Sequence, residues 1–441
     1  MKKFLIIFFS LIIVNHNAQN LDSLHQAKME WFKDAKLGIF IHWGIYAVNG
    51  ISESWSFFNG RISHEDYLKQ VNGFTAEKYD PDLWVKLIKD SGAKYAVITS
   101  RHHDGFSLWD TKYGNLNAVN SAAKRDVLTP FVKALRKNNL KVGLYYSLPD
   151  WSYNDYTDFT REIKRYKIND DPKRWNKFLD YYQGQLIELA DKYNPDLWWF
   201  DGDWEHNADE WQAEKVRKML LDKNPNVIIN SRLQGHGDYD TPEQGPPVIR
   251  PEAKYWELCY TMNDSWGYQQ NDKDYKTPQQ LLDVFVDCIS QGGNLLLDIG
   301  PKADGTIADE QVHILKEFAN WTSKHKDAIY GTRQGIPYDH FYGPTALSKD
   351  KKILYLFVKG NSNGQIALKG VKNKINSIWV VGNGTALNSK TVSKVYWNDY
   401  PGITFIDLPE NVLDKYYTVI GVLLDGEIDL YRKVVGAIES N

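Results

Sequence analysis

"NPDLWWFDGDW", from Asn194 to Trp204, drives an apolar, aromatic run straight into Asp201-Gly202-Asp203. A run of this kind suits a strand buried on both faces, in a parallel sheet covered by helices, with Asp201 emerging at its carboxyl end. The alternative is a strand closed by an ordinary Asp-Gly turn that carries no chemistry. The flanking sequence separates the two. Upstream, an amphipathic pattern from about Asp171 to Tyr193 predicts a long helix. Before it, strand-like runs alternate with helical ones: "LGIFIHWGIYAV" (Leu37 to Val48), "PDLWVKLIKDSG" (Pro81 to Gly92), "YAVITS" (Tyr95 to Ser100), "DVLTPFVKALRKNN" (Asp126 to Asn139) and "KVGLYYSL" (Lys141 to Leu148). Downstream come "NVIINSR" (Asn226 to Arg232), "KYWELC" (Lys254 to Cys259), the helical "PQQLLDVFVDCISQGG" (Pro278 to Gly293) and "NLLLDIG" (Asn294 to Gly300). Alternation of this extent predicts an α/β fold, a parallel (β/α)8-like barrel of the TIM type, with a doubly wound open sheet as the other arrangement.

From about Pro337 the pattern changes to short strands such as "KKILYLFVK", "GQIALKG" and "YYTVIGVLLDGE", separated by Gly, Asn, Asp and Pro. These predict a C-terminal antiparallel β-sandwich. At the other end, MKKFLIIFFSLIIVNHNAQN has two lysines, an apolar stretch from Phe4 to Val14 and small or polar residues near Ala18. It reads as a secretory signal peptide rather than a membrane span. The expected organisation is therefore a leader over residues 1–19, a catalytic barrel over 20–336 and a sandwich over 337–441, in an exported protein, periplasmic or secreted. Export permits disulfides, yet the only cysteines, Cys259 and Cys288, fall within predicted regular elements and are expected to be buried free thiols.

The 53 basic and 56 acidic residues leave a net charge of −3 without single-sign runs, which gives no footprint for nucleic acid or an anionic membrane. Sixteen Trp and 27 Tyr, in contrast, favour a pocket in which sugar rings stack their C–H faces, or else aromatic-rich packing. In a barrel the chemistry sits at the carboxyl ends of strands. Those ends carry His42, Arg101-His102-His103-Asp104, Tyr145-Tyr146, Asp201, Arg232 and Glu257. Several nucleophilic or metal chemistries lack their signatures: there is no HExxH, no G-x-S-x-G elbow and no Gly-rich phosphate loop. Adjacent strand residues face opposite ways, so His102 and His103 would not share one ion if the strand ran through them. Neither metal nor cofactor is expected. Paired carboxylates remain, the requirement of glycoside hydrolysis. Asp201 is the first member. The second is Glu243, in the Gly/Pro-rich "GDYDTPEQGPP" expected to loop over the mouth, with Glu257 as second choice.

"KLGIFIHWGIYAV", "YAVITSRHHDGFSLWDTKYG", "KVGLYYSLPDW", "PDLWWFDGDW", "KYWELCYTMNDSWGY" and "GGNLLLDIGPKADGTI" together resemble the α-L-fucosidases of glycoside hydrolase family 29. The resemblance runs through nearly the whole chain after the leader. It implies a somewhat irregular barrel with a C-terminal sandwich, and exo-acting hydrolysis of terminal α-L-fucose with retention and without a metal. Carried over residue by residue, it makes Asp201 the nucleophile and Glu243 the acid/base. It places His42, His102, His103, Tyr146, Trp199, Arg232 and Trp266 on the substrate. Where the family shows Glu directly followed by Trp, this chain has Glu53-Ser54-Trp55, so Glu53 and Trp55 are assigned to fucose on a departed pattern. The "TPEQ" segment resembles members that prefer α-1,3 and α-1,4 branched fucose. The expected partners are fucosylated oligosaccharides or glycoconjugates; oligomeric state is not readable. Two rivals use the same residues or fewer: a glycan-binding protein without hydrolysis, and a transfucosidase. Strand geometry adds one expectation, that Trp198 and Phe200 pack outward on helices while Trp199 and Asp201 face the mouth, with Asp203 left to loop structure.

Overall fold

The computed structural model describes residues 24–360, 364–394 and 399–433, so the expected leader lies outside the described residues. A helix over residues 24–35 precedes seven parallel strands: β1 (Leu37–Ile41), β2 (Tyr95–Arg101), β3 (Lys141–Ser147), β4 (Leu197–Asp201), β5 (Ile228–Ile229), β6 (Glu257–Thr261) and β7 (Asn294–Ile299). Their order is β5-β4-β3-β2-β1-β7-β6. The edge strands β5 and β6 are joined by the segment around residues 239–243, which makes parallel bridges Asn230 to Tyr239, Asp240 to Trp256 and Glu243 to Cys259. This segment acts as an irregular eighth stave of a TIM-like barrel. Proline 242 has no N–H for a ladder and contributes only its carbonyl, to Cys259 N at 3.1 Å. At its entry the chain runs so close to β5 that a Cβ on Gly237 would lie 2.2 Å from the Asn230 carbonyl oxygen.

Three of the covering helices start with the same local code, a capping side chain followed by proline: Asp80 before Pro81–Asp90, Asp171 before Pro172–Tyr193 and Thr277 before Pro278–Gln291. The cap accepts from first-turn N–H groups, and proline at the first position forgoes a donor that has no intrahelical partner. On β4 the expected alternation is met. Trp198 and Phe200 belong to the layer between sheet and helices, whereas Trp199 packs inside the barrel with Phe40 and Tyr145.

Among the described residues, eight antiparallel strands follow. β8 (Arg333–Gln334), β9 (Thr345–Leu347), β10 (Ile353–Lys359), β12 (Ile375–Val380) and β15 (Tyr417–Leu424) form one sheet; β11 (Gln365–Lys369), β13 (Ser389–Val392) and β14 (Ile403–Asp407) form the other. Leu354, Leu356, Ile420 and Val422 meet Leu368 and Ile406 in one core between them, giving the expected sandwich. It packs on the outer helices Pro278–Gln291 and Asp309–Ile329, where Tyr417 accepts from Trp321 Nε1 at its carbonyl (3.1 Å) and donates its hydroxyl to Asp283 (2.8 Å). Cys259 and Cys288 are both buried free thiols.

Lys36, between the first helix and β1, is fully buried and its Nζ has no hydrogen-bond partner among the described residues. Burial, with Arg333 nearby, pulls its amine from 10.5 down to about 7. Because the folded value lies below the unfolded one, stability falls as pH drops from 10.5 towards 7 and levels off beneath it. Lys36→Met should therefore raise Tm by roughly 3–10 °C at pH 7, with the gain shrinking steadily towards pH 10. Melting curves across that range check this; a gain independent of pH would show that the amine's charge is not the cause.

Candidate active site

Asp201 ends β4 at the barrel mouth, and three side chains from three other strand ends converge on it. Tyr145 donates its hydroxyl to Oδ2 at 2.9 Å, Arg232 donates Nη1 to Oδ1 at 2.9 Å, and His103 Nε2 stands 3.5 Å from Oδ2. The second Nη of Arg232 reaches Glu243 Oε2 at 2.6 Å. Two carboxylates thus occupy neighbouring nitrogens of one guanidinium, which is always charged and presents its donors as a rigid fork. The fork lies over the Trp199 ring, 4.6 Å from its centroid, and is further fixed by Thr241 Oγ1 at 3.0 Å.

Around the pair is a cavity of about 110 Å3 lined by Phe40, His42, Trp55, His102, Trp204 and Trp266 besides Asp201, Glu243, Tyr145, Trp199 and Arg232. Each histidine is oriented through Nδ1 by a residue of the fold: His42 by Asp298 (2.7 Å), His102 by Ser54 (2.6 Å), His103 by Ser147 (2.6 Å). For His42 and His102, Nε2 is then the nitrogen left for a ligand, while that of His103 faces Asp201. Burial holds His42 and His102 well below the usual imidazole range and takes His103 down to about 3, so all three are neutral at neutral pH. Burial also lifts Asp298 well above the usual carboxylate range. Strand β2 ends at Arg101, after a register shift, which frees His102 and His103 from alternation and brings their rings within 4.3 Å of each other.

The structure brings together His42, His102, His103, Trp55, Trp199, Asp201, Arg232, Glu243 and Trp266, and it corrects four expectations. Glu243 does not hang from a loop over the mouth; it sits on the eighth stave, with a side chain 40% exposed. Tyr146 points outward to Gln185 Oε1 (2.9 Å) under the Arg101 guanidinium, and Tyr145 takes the inward place opposite Trp199. Glu53 is buried away from the cavity, where its carboxylate accepts from Gly267 N at 2.6 Å. The inserted Ser54 supports His102 and accepts from Asp104 N at 2.9 Å, so Glu-Ser-Trp is a run of three separate tasks. Glu257, the second choice for acid/base, is fully buried, with its oxygens taken by the Tyr95 hydroxyl and by Trp199 Nε1 at 3.0 Å. Burial pushes it up to about 7, against those two hydrogen bonds, but it holds Trp199 rather than facing the cavity. Asp203 opens a short 3-10 helix, Asp203–Glu205, and accepts from Gln234 N at 2.8 Å, outside the cavity.

Sequence reasoning missed Phe40 and Trp204, and of the strand-end pair Tyr145-Tyr146 it placed Tyr146 on the substrate. Tyr145 follows from strand parity once β3 and β4 are in register, and Phe40 from its place two residues before His42 on β1. Trp204 is the other half of an aromatic rim: it is 54% exposed and its ring lies near-parallel to Trp55, with centroids 6.5 Å apart.

Two carboxylates, aromatic walls and neutral imidazoles at the carboxyl ends of barrel strands define a glycoside hydrolase, an enzyme that cleaves a sugar acetal with a pair of acids. Comparison with known proteins narrows the class. The family model described as Alpha-L-fucosidase matches residues 13–327. An alpha-L-fucosidase of Branchiostoma floridae is 33% identical over 352 residues, covering 72% of this chain and 75% of that one. The plasma alpha-L-fucosidase of Homo sapiens is 30% identical over 400 residues, 81% and 82% of the two chains. Among solved structures, alpha-L-fucosidase isoenzyme 1 from Paenibacillus thiaminolyticus superposes with a TM-score of 0.83 at 34% identity, over 91% of this chain and all of that one. A GH29 alpha-L-fucosidase from Bacteroides thetaiotaomicron, trapped as a covalent intermediate with 2-fluoro-fucosyl fluoride, gives 0.80 at 26% over 91% and 96%. The chain belongs to the alpha-L-fucosidases of glycoside hydrolase family 29.

Proposed function

We propose that this α-L-fucosidase is a retaining, exo-acting hydrolase in which Asp201 is the nucleophile and Glu243 the acid/base. The observation that carries the reading is the shared Arg232 fork, which sets both carboxylates at one cavity. In the first step Asp201 Oδ attacks the anomeric carbon as the glycosidic C–O bond breaks, and Glu243 gives its proton to the leaving oxygen. In the second, Glu243 takes a proton from water, which attacks the same carbon and expels Asp201. Tyr145 and Arg232 hold Asp201 in one orientation through both steps; neutral imidazoles supply hydrogen bonds to fucose hydroxyls without adding charge beside the nucleophile. The covalent intermediate trapped in the Bacteroides relative supports the two-step course.

The proposed substrates are α-1,3 and α-1,4 branched glycans. Thr241 to Gln244 form part of the eighth stave beside the cavity, and the exposed face of Trp204 offers a platform to the sugar that leaves. The test is a hydrolysis panel of Lewis-type trisaccharides, 2′-fucosyllactose and an aryl α-L-fucoside, with the first-formed fucose anomer read by NMR. The expected result is α-fucose first, as retention requires, and faster release from the branched trisaccharides. β-Fucose appearing first would mean inversion; faster release from 2′-fucosyllactose would refute the linkage preference alone.

A further inference from the structure

The two most exposed aromatic side chains among the described residues are neighbours. Tyr338 is 64% and Tyr342 67% exposed, and their rings meet edge to face at 5.5 Å. Both are held in place. Lys369 Nζ lies 4.3 Å over the Tyr342 ring and donates to its hydroxyl at 3.0 Å, while the turn carrying Tyr338 is pinned where His340 Nδ1 meets the Lys369 carbonyl at 2.8 Å. Fixed, solvent-facing aromatic surface of this kind marks a binding place.

Two cavities, of about 650 and 460 Å3, flank the pair and share Tyr338, Gly343 and Pro344. The smaller runs over Phe357 and Ile366 of the sandwich. The larger lies against the end of the helix Pro278–Gln291 and mixes apolar walls with the polar side chains of Asp287, Gln291, Gln334 and Arg432. None of these residues lines the cavity around Asp201. Gln291 supplies an independent sign. Its Nε2 donates to the Pro247 carbonyl at 3.0 Å and to Asp287 at 2.9 Å, which fixes the amide, yet its buried Oε1 has no partner among the described residues. A buried acceptor with a fixed orientation calls for a donor.

We propose that this groove, at the junction of barrel and sandwich, is a second carbohydrate-binding site that takes the chain of a fucosylated glycan away from the fucose being released. A sugar chain matches the whole lining: its C–H faces stack on the tyrosines, and its hydroxyls donate to Gln291 and Asp287 and accept from Arg432. The site is independent of the roles of Asp201 and Glu243, and it would hold a large substrate near the enzyme between successive cleavages.

The test is native affinity electrophoresis of the whole chain in gels containing fucosylated gastric mucin, with excess free fucose present to fill the cavity around Asp201. Wild type should be retarded. Tyr338→Ala/Tyr342→Ala should bind at least ~10-fold more weakly, while its kcat/KM on an aryl α-L-fucoside stays within about twofold of wild type. Gln291→Leu, which leaves both tyrosines in place, should also weaken retardation. If the double variant does not fold, Tyr338→Ala alone, a change to an exposed ring, carries the same reading. Unchanged retardation of the tyrosine variants, no retardation of wild type, or retardation abolished by free fucose would each overturn the proposal, the last by assigning all binding to the cavity around Asp201.

Discussion

Asp201→Ala should lower kcat/KM on an aryl α-L-fucoside on the order of 10^4-fold or more, the scale on which enzymes lose rate when a covalent nucleophile is removed. The loss should fall on kcat, because His42, His102, Trp199 and Trp266 still bind the sugar. The fold should survive: Arg232, which loses one carboxylate, keeps Glu243 and Thr241. Added azide, small enough for the vacated space, should restore part of the rate by attacking the anomeric carbon directly. One displacement replaces two, so the product should be the inverted β-fucosyl azide. Near-wild-type turnover of Asp201→Ala would remove Asp201 from the chemistry.

Glu243→Ala should behave differently in both size and product. Loss of a positioned proton donor costs about 10^2–10^4-fold, and the loss should be greatest on oligosaccharides, whose leaving oxygen needs the proton most. On an aryl fucoside with an acidic leaving group the first step should proceed and the fucosyl-enzyme accumulate. Azide then attacks that intermediate in place of water, giving α-fucosyl azide, with net retention after two displacements. Glu257→Ala is the control. It strands the Tyr95 hydroxyl and Trp199 Nε1 without their acceptor and should cost about 1–3 kcal/mol of stability, but azide should not rescue it. Rescue of Glu257→Ala, and not of Glu243→Ala, would transfer the acid/base role to Glu257.

The two carboxylates also show how far local pattern reaches. Asp201 is legible because it ends an apolar run whose parity, Trp199 in and Trp198 and Phe200 out, is a property of any strand. Glu243 is legible from its segment, but its surroundings are not. "GDYDTPEQGPP" has the composition of a loop, and nothing in it reveals that β5 and β6 leave a gap for it to close. Tyr145 and Tyr146 are equal candidates in sequence; only the register of β3 on β4, with Tyr145 opposite Trp199 and Ser147 opposite Asp201, selects the first.

The sequence by itself determined the alternation of strands and helices, the change to a sandwich, the place of Asp201 at a strand end and the motifs of the family. Each rests on interactions among residues close along the chain, or on periodicity that a short window displays. Tertiary structure alone decided that Arg232 joins Asp201 to Glu243, that Glu53 serves Gly267, 214 residues away, and that Glu257 supports Trp199, 58 residues away, instead of the substrate. Those outcomes depend on barrel closure and strand register, which bring distant carboxylates to different neighbours. A carboxylate's role is set by the donors and solvent around it, and these come from the whole barrel rather than from the carboxylate's own segment.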